Sequence, residues 1–381
     1  MDRTRRTSST GPGRIDGLRV LVLNAGSSSL KLSLADDDDN VTSERDFEVK
    51  EGRLDGRQMV AAVREIGQVD AVGHRIVHGG PRYREPVRID AEVVRYLKSL
   101  IDLAPLHLPA ALAGIAEAAE ALPGTPAVAC FDTAFHSQMP AAASTYAIPV
   151  DWRERHGIRR YGFHGLSHAY ASRRAAELLG RPPAGLRLVT CHLGAGASLA
   201  AVQDGRSVDT TMGFTPMEGL VMATRSGTVD PGMLLYLERH AGLTGPELAE
   251  GLDRRGGLLG VAGTPDMREV LKRMAGGDER SQVAFDIYVH RLRGLTAAMA
   301  AAMNGLDALV FTGGVGENSP QVRAAAASGL EFLGVAIDPG KNANIQPDGE
   351  ISAKSAPVRT LVIRAHEDLE VAREVRAVLG S

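Results

Sequence analysis

The chain has 381 residues and a formal net charge of −3 at pH 7, and 44% of its residues are hydrophobic. This length favours two domains over one, and the composition is that of a globular protein. Its basic residues form no stripe interleaved with aromatic residues, which argues against a nucleic-acid-binding protein. No apolar run approaches the roughly 18 residues that a membrane helix needs, so we expect no membrane partner. Cys130 and Cys191 are too few for a disulfide framework or a thiolate metal site, and we expect inert core thiols.

The first sixteen residues are polar and lack the apolar stretch of a signal peptide, so we expect a disordered leader and a cytoplasmic protein. After them, apolar runs alternate with helical patterns, which predicts an α/β architecture with helix-covered sheets. The predicted strands are the two arms of a hairpin within Val20–Leu34, then Ala71–Val77, Ala127–Phe131, Leu186–Cys191, Ala308–Thr312 and Val358–Ile363. The predicted helices are Ala91–Leu103, Ala110–Leu122, His168–Leu179, Pro231–Ala241, Gln282–Met303 and Glu367–Leu379.

The first hairpin turns at Asn24–Ser29, a run of small hydrogen-bonding residues. Gly26 lets backbone N–H groups approach a ligand closely, and Lys31 follows as a mobile positive charge. Such a turn suits a phosphate or another small anion. A plain hairpin with a polar tip has the same pattern and remains the alternative.

Two later segments repeat this plan. Leu188–Val202 contains a strand, a glycine-rich turn that ends in Ser198, and a second strand, while Thr312–Asn318 is a glycine-rich turn after a buried strand. Three such turns at the ends of apolar strands predict duplicated halves that face one nucleotide. For the third turn, a simple strand-to-helix connection is the alternative.

Four segments combine Arg, His or Asp with glycine and proline turns, as functional loops do. They are 73–80, 131–136, 159–168 and 223–232. Arg75 lies on an apolar strand, where its charge needs either a bound anion or a buried salt bridge with a carboxylate. Asp132 lies just beyond a strand, a usual place for catalytic or metal-binding carboxylates. Ser167 is predicted to be the N-cap of the next helix, and Pro231 to start another.

Anion-binding turns, arginines and a few carboxylates match phosphoryl transfer, in which the protein mostly positions groups and neutralises charge. Mg²⁺ with oxygen ligands is the expected partner of such carboxylates, with Mn²⁺ as the alternative. The sequence has no zinc-ligand spacing, and no G-x-S-x-G elbow follows a strand, which disfavours a zinc enzyme and a serine hydrolase.

The chain also resembles the acetate kinases. Nine blocks occur in the order seen in that family: NAGSSSLKLS, GHRIVHGG, APLHLP, FDTAFH, RRYGFHGLSH, HLGAGAS, TPMEGLVMATRSGTVDPG, FTGGVGENS and HEDLEVARE. The resemblance implies two duplicated actin-like, ribonuclease H-like α/β domains that flank an active-site cleft, usually in a homodimer. It places the N-terminal domain at 17–149, completed by the C-terminal helix 368–381, and the nucleotide-binding domain at 150–367. The implied substrates are acetate and ATP.

The resemblance assigns roles position by position. The implied catalytic residues are Arg75, Asp132, His164 and Arg225, of which His164 and Arg225 stabilise the phosphoryl group in transit. The implied acetate pocket is Arg75, Val77, Leu106, Phe163 and Pro216. The implied phosphate loop is Asn24, Ser27 and Ser29. Asn24 and Glu367 are the implied metal residues, and Asp132 helps to organise the metal. The implied nucleotide-binding residues are Lys31, His192, Leu193, Gly194, Ala195, Gly196, Asp266, Met267, Arg268, Gly314, Val315, Gly316, Glu317 and Asn318. His107 matches a further active-site histidine.

The resulting hypothesis is that the chain is an ATP-dependent acetate kinase that transfers the phosphoryl group directly. His164 would act as an electrostatic donor and not as a phosphorylated nucleophile. A propionate or other short-chain acyl kinase is the alternative, because one methylene in a pocket is worth only about 1–3 kcal/mol. The third hypothesis is a nucleotide-binding relative with impaired catalysis, since Ala195 stands where the family usually has Asn. Leu108, Leu166 and Thr228 also depart from the common pattern.

Overall fold

The computed structural model describes residues 17–25, 29–38, 40–48, 61–63, 65–104 and 107–380. The chain divides into two compact units, which break at Ala134/Phe135 and again at His366/Glu367. The first unit contains the chain before the first break and after the second, and the second unit contains the residues between them. The sequence analysis put the first of these boundaries at 149. Among the described residues, no helix is long and apolar enough to cross a membrane.

The first unit is built on one mixed sheet with the strand order β3-β2-β1-β4-β6-β5. Its strands are β1 (Val20–Ala25), β2 (Ser29–Ala35), β3 (Val41–Glu48), β4 (Ala71–Ile76), β5 (Val87–Arg88) and β6 (Ala127–Phe131). Strands β1, β4 and β6 are parallel, whereas β1, β2 and β3 form an antiparallel meander. The carboxyl ends of the three parallel strands therefore share one edge of the sheet.

Helices cover this sheet, at Ala91–Ser99, Leu108–Ala121 and Glu367–Leu379, with a 3₁₀ turn at Ile101–Leu103. The last helix packs closely on β4, because Gly73 has no side chain. A Cβ at Gly73 would lie 2.5 Å from Val371 Cγ1 and 2.9 Å from Val375 Cγ2. Both valines are fully buried, so the last helix forms part of the core of the first unit.

The second unit repeats the same plan in a sheet of order β11-β12-β10-β7-β8-β9. Its strands are β7 (Arg187–Leu193), β8 (Ala197–Gln203), β9 (Arg206–Thr210), β10 (Ala308–Thr312), β11 (Gly349–Glu350) and β12 (Arg359–Val362). Strands β7, β8 and β9 form the meander, and β7, β10 and β12 are parallel. The predicted α/β fold of two duplicated units is confirmed.

The helices of the second unit are Ala141–Ser144, Val150–His156, Gly165–Leu178, Pro231–Ala241, Gly245–Asp253, Gly257–Ala262, Met267–Ala275, Glu279–Ala302, Gly313–Asn318, Pro320–Ala327 and Pro339–Asn344. Pro231 is the first residue of its helix, as predicted, and the Asp230 side chain caps it by accepting from the Gly232 N–H. The prediction that Ser167 is an N-cap was wrong. The helix begins at Gly165, because His164 adopts a left-handed backbone conformation (φ 56°) that ends the preceding loop.

Candidate functional site

One cluster of charged side chains lies at the carboxyl edge of the sheet in the first unit. Asn24 is near the end of β1, Arg75 near the end of β4, and Asp132 directly after β6. Glu367 is the first residue of the last helix, where the helix dipole favours a negative charge. The strand order brings Asn24, Arg75 and Asp132 together, although Asn24 and Arg75 are 51 residues apart in sequence and Arg75 and Asp132 are 57 apart.

Arg75 is the centre of this cluster. Its Nε and Nη2 donate to Asp132 Oδ1 and Oδ2 at 3.0 and 2.7 Å, and its Nη1 donates to Asn24 Oδ1 at 2.9 Å. Asn24 Nδ2 in turn donates to Glu367 Oε2 at 3.2 Å, which lies 3.5 Å from Arg75 Nε. The buried salt bridge that the sequence analysis kept as an alternative is therefore present.

The cluster fixes the charge of Arg75. Burial by itself would lower the pKa of its guanidinium, but the charges of Asp132 and Glu367 outweigh burial and raise that pKa above its usual value. The Arg75 side chain is 15% exposed and that of Asp132 only 2%. Arg75 thus presents a permanent positive charge, held rigidly by two hydrogen bonds to one carboxylate.

The oxygen atoms of this cluster suit Mg²⁺. Asn24, Asp132 and Glu367 provide an amide and two carboxylates, the hard donors that Mg²⁺ prefers. Within the described ranges, no group of three or more His, Cys, Asp or Glu side chains could hold a metal ion alone. The donor set therefore fits a metal that keeps water and phosphate ligands, as Mg²⁺ does in phosphoryl-transfer sites.

The remaining predicted residues of the first unit are partly described. Ser27 and Leu106 lie outside the described residues, and Ser29 is described only as the first residue of β2. Lys31 projects from β2 and pairs with Glu44 at 2.9 Å. Val77 is buried directly after β4.

A second cluster lies in the second unit, where four histidines pack side by side. The rings of His164 and His192 stack with centroids 4.3 Å apart, and His168 lies edge-on to both His136 and His192. Three of the rings are each held by a serine hydroxyl at Nδ1: His164 by Ser198 at 2.9 Å, His192 by Ser167 at 2.7 Å, and His136 by Ser207 at 2.7 Å. Ser167 therefore orients His192, in place of the capping role predicted for it.

Arg225 lies against the same part of the second unit. Its Nε donates to Asp253 Oδ1 at 3.1 Å and its Nη1 to the Pro216 carbonyl at 3.1 Å. A Cβ built on Gly196 would lie 3.2 Å from His164 Nε2 and 3.6 Å from Arg225 Nη1. The glycine of the β7–β8 turn thus lets the backbone approach both side chains, and their polar atoms converge on it.

A cavity of about 870 Å³ opens in the second unit, within the usual size range of small-molecule sites. Eight of the predicted nucleotide-binding residues line it: Gly194, Ala195, Asp266, Met267, Arg268, Gly314, Val315 and Asn318. Ala195 is exposed, so the position that departs from the family pattern faces this space. Hydrogen bonds to Arg268 lower the pKa of Asp266 to about 2, and this carboxylate also caps the helix Met267–Ala275.

Five predicted nucleotide-binding residues of this unit do not line the cavity: His192, Leu193, Gly196, Gly316 and Glu317. Glu317 Oε1 instead accepts from the backbone N–H groups of Gly313 and Ala365 at 3.0 and 2.9 Å. Glu317 thereby links the turn that follows β10 to the segment that follows β12. This turn is itself the short helix Gly313–Asn318 and not an open loop.

Sequence reasoning missed several residues of the cavity wall, among them Tyr288 and Lys272. Tyr288 is 3% exposed, and its hydroxyl has no hydrogen-bond partner within the part of the chain that the structure describes. A ligand that accepts or donates a hydrogen bond there would satisfy it. Tyr288 lies in a helical segment that mixes apolar and polar residues, so nothing in the sequence indicated that it lines a cavity.

Comparison with known proteins gives a consistent result. The family described as the Acetokinase family matches residues 54–373. An acetate kinase of Synechococcus sp. is 54% identical over 83% of this chain and 78% of that protein. An acetate kinase of Leifsonia xyli is 47% identical over 93% of this chain and 97% of that protein.

Solved structures agree with this result. The crystal structure of acetate kinase from Porphyromonas gingivalis superposes with a TM-score of 0.87 at 37% identity, covering 95% of this chain and all of that one. A propionate kinase from Francisella tularensis gives a TM-score of 0.86, also at 37% identity, over 94% of this chain and 99% of that one. Structural similarity alone therefore does not separate acetate from propionate.

Proposed function

This chain belongs to the acetokinase family, and we propose that it is an acetate kinase that reversibly transfers the γ-phosphoryl group of ATP to acetate. The observation that carries the proposal is 54% identity to an acetate kinase over most of the chain. The family resemblance adds the expectation of a homodimer in the cytoplasm. The side chains of the two clusters then take the roles set out below.

Arg75 is proposed to bind the acetate carboxylate. Its guanidinium stays charged at every pH in the working range, and Asp132 and Asn24 fix its orientation. Acetate is already ionised near neutral pH, so its oxygen can attack phosphorus without a general base. Val77, Leu106, Phe163 and Pro216 remain the proposed wall around the acetate methyl group.

Arg225 and His164 are proposed to stabilise the γ-phosphoryl group during transfer. An oxygen of acetate forms the new P–O bond while the bond to the ADP oxygen breaks, and negative charge spreads over the equatorial oxygens. A fixed cation and a fixed N–H donor placed at that charge lower the barrier without reorganisation. His164 forms no bond to phosphorus in this scheme.

The 870 Å³ cavity is proposed to hold the nucleotide. Its lining combines apolar residues such as Leu258 and Val315 with the polar groups of Asp266, Arg268 and Asn318. Asn24 and Glu367, helped by Asp132, would hold Mg²⁺, which supplies charge neutralisation at the phosphates when it is bound. Lys31 and the serines of the first turn remain the proposed phosphate loop.

The proposal is tested by trapping acyl phosphate with hydroxylamine in the presence of MgATP and acetate, propionate or butyrate. We expect the highest kcat/KM with acetate. Higher kcat/KM with propionate would favour the second candidate, a propionate kinase. The observation behind this candidate is the propionate kinase structure, whose TM-score of 0.86 is nearly that of the acetate kinase. Loss of the product with Arg75→Ala, but not with the exposed control Arg206→Ala, would link turnover to the first cluster.

A further inference from the structure

The hydroxyl of Ser198 lies between two imidazole rings of the second unit. Its Oγ is 2.9 Å from His164 Nδ1 and 2.7 Å from His168 Nε2. On the far side of His168, Nδ1 is 2.8 Å from Thr190 Oγ1. Four side chains therefore form one continuous hydrogen-bonded line, from Thr190 through His168 and Ser198 to His164.

This arrangement couples the tautomers of the two rings. A hydroxyl group carries one proton, so Ser198 donates to one ring nitrogen and accepts from the other. If His168 carries its proton on Nε2, Ser198 must donate to His164 Nδ1, and a neutral His164 then carries its own proton on Nε2. If His168 carries its proton on Nδ1, the opposite tautomer of His164 follows.

Thr190 decides between these two directions. Its hydroxyl lies 2.8 Å from His168 Nδ1 but 3.5 Å from the Ala200 carbonyl, at the limit of a hydrogen bond. If His168 Nδ1 donated to Thr190, the hydroxyl proton would have only the Ala200 carbonyl at 3.5 Å to bond. The arrangement in which Thr190 donates to His168 Nδ1 makes the better set of hydrogen bonds and leaves the ring proton on Nε2. Thr190, His168 and Ser198 are all fully buried, so no solvent competes for these bonds.

The neighbouring groups keep His168 neutral. Burial, together with the adjacent His136 and His192, holds the pKa of His168 well below its usual value. Among the described residues, the groups near His164 include the stacked ring of His192, His168 through Ser198, and Arg225 beside Gly196, with Asp253 bonded to Arg225.

We propose that Thr190, His168 and Ser198 are positioning residues that hold neutral His164 in the tautomer with its proton on Nε2. This inference deepens the proposed function and rests on it for its kinetic consequence. His164 Nε2 and Arg225 Nη1 both face Gly196, at 3.2 and 3.6 Å from the position that a Cβ on this glycine would take. The fixed tautomer turns this nitrogen into an N–H donor for the phosphoryl oxygens without any need to protonate the ring.

The tautomer is measured directly by ¹⁵N NMR of the full-length chain with labelled histidine. The signals of His164 are identified among the 11 histidines by their loss in His164→Gln. We expect an unprotonated shift at Nδ1 and a protonated shift at Nε2. A proton on Nδ1 of neutral His164 would overturn the proposal, whatever the enzyme assay shows, so its failure is distinct from failure of the proposed function.

Thr190→Val tests the line at its far end, where the side chain is remote from His164. Valine keeps the shape of threonine but cannot donate, and losing one neutral hydrogen bond of about 1 kcal/mol removes about a fivefold tautomer preference. We expect the His164 signals to move towards those of a tautomer mixture and kcat to fall by up to about twofold, with KM for MgATP unchanged. Thr190→Ser should restore both.

Ser198→Ala breaks the line next to His164. We expect kcat to fall by about 10-fold or more. Complete loss of the His164 donor would cost about 10²- to 10³-fold in kcat, which is the largest effect expected. Ser172→Ala is the matched control, since this buried hydroxyl lies on the helix Gly165–Leu178, which carries His168, and donates to the Ala169 carbonyl. Unchanged His164 signals in both Thr190→Val and Ser198→Ala would also overturn the proposal.

Discussion

Asp132→Asn isolates the electrostatic role of the buried carboxylate beside Arg75. The native carboxylate accepts two hydrogen bonds from the guanidinium, at 3.0 and 2.7 Å, and its side chain is 2% exposed. Asparagine has nearly the same shape, but it keeps only one acceptor oxygen and carries no charge. The substitution therefore changes the charge and one hydrogen bond while the packing stays nearly constant.

The expected cost follows from these contacts. Removing one partner of a buried ion pair costs about 3–5 kcal/mol, and the hydrogen bond that asparagine retains to a charged donor returns about 1.5–3 kcal/mol. We therefore expect the free energy of unfolding of the first unit to fall by about 2 kcal/mol. Arg75 would lose its two-point orientation, and a misplacement of about 1 Å costs about 10²-fold in rate. We expect kcat/KM for acetate to fall by this factor.

The assay is hydroxamate formation under steady-state conditions, with urea unfolding followed by circular dichroism. Asp307→Asn is the matched control, because Asp307 makes the same two-point pair with Arg187 at 3.1 and 3.2 Å. The side chains of this pair are more exposed, Asp307 at 20% and Arg187 at 35%. We therefore expect the free energy of unfolding to fall by less than about 1 kcal/mol, and kcat/KM to stay unchanged. Native kcat/KM in Asp132→Asn would refute the proposed role of the Arg75 cluster.

Three further predictions concern other positions. Burial lowers the pKa of His74 to about 3, so the unfolded ring takes up a proton below about pH 6.5 while the folded ring stays neutral. Stability is therefore lost as the pH falls from 6.5 towards 3, by about 1.4 kcal/mol per pH unit for this group. His74→Leu should flatten that slope in thermal unfolding between pH 7 and 4, and an unchanged slope would contradict the assignment. Ala195→Asn adds an amide donor at the exposed turn of the cavity and should raise kcat with MgATP about tenfold, as a hydrogen bond to a charged group is worth about 1.5–3 kcal/mol; an unchanged kcat would mean that another group already serves this position. Gly314→Leu should raise KM for MgATP without unfolding the chain, since a Cβ at Gly314 meets open space within the cavity wall. Gly294→Leu, on an exposed helix face with equally open space, should leave KM unchanged, and equal effects of the two would count against the nucleotide site.

The sequence predicted the central strands and several helices well. Ala127–Phe131 and Ala308–Thr312 were predicted with the bounds that the structure has, because each is a continuous apolar run buried on both faces. The meander strands β3 and β9 were missed. The sequences VTSERDFE and RSVDT carry mostly polar residues, since these strands lie at the edges of their sheets. The helices Gly245–Asp253 and Gly257–Ala262 were missed because glycines interrupt their apolar pattern. The helix Met267–Ala275 was also missed, because charged residues make up much of its sequence MREVLKRMA.

The two clusters depend on information that no local pattern contains. Arg75 meets Asp132 only because β4 and β6 are neighbours in parallel, which the spacing of their residues does not reveal. The line of hydroxyls and imidazoles in the second unit had one sequence signal. Thr190 and Ser198 are polar residues within the apolar strands RLVTCHL and ASLAAVQ, and a polar side chain buried in such a strand needs a partner.

The most direct test of the proposed reaction is the origin of the bridging oxygen in the product. The chain is incubated with MgATP and acetate labelled with ¹⁸O in the carboxylate, and acetyl phosphate is observed by ³¹P NMR. Direct attack of acetate on the γ-phosphorus predicts acetyl phosphate whose phosphorus signal is shifted by ¹⁸O, with ADP formed in equal amount. Acetyl phosphate without the isotope shift, or ADP formed without acetyl phosphate, would contradict it.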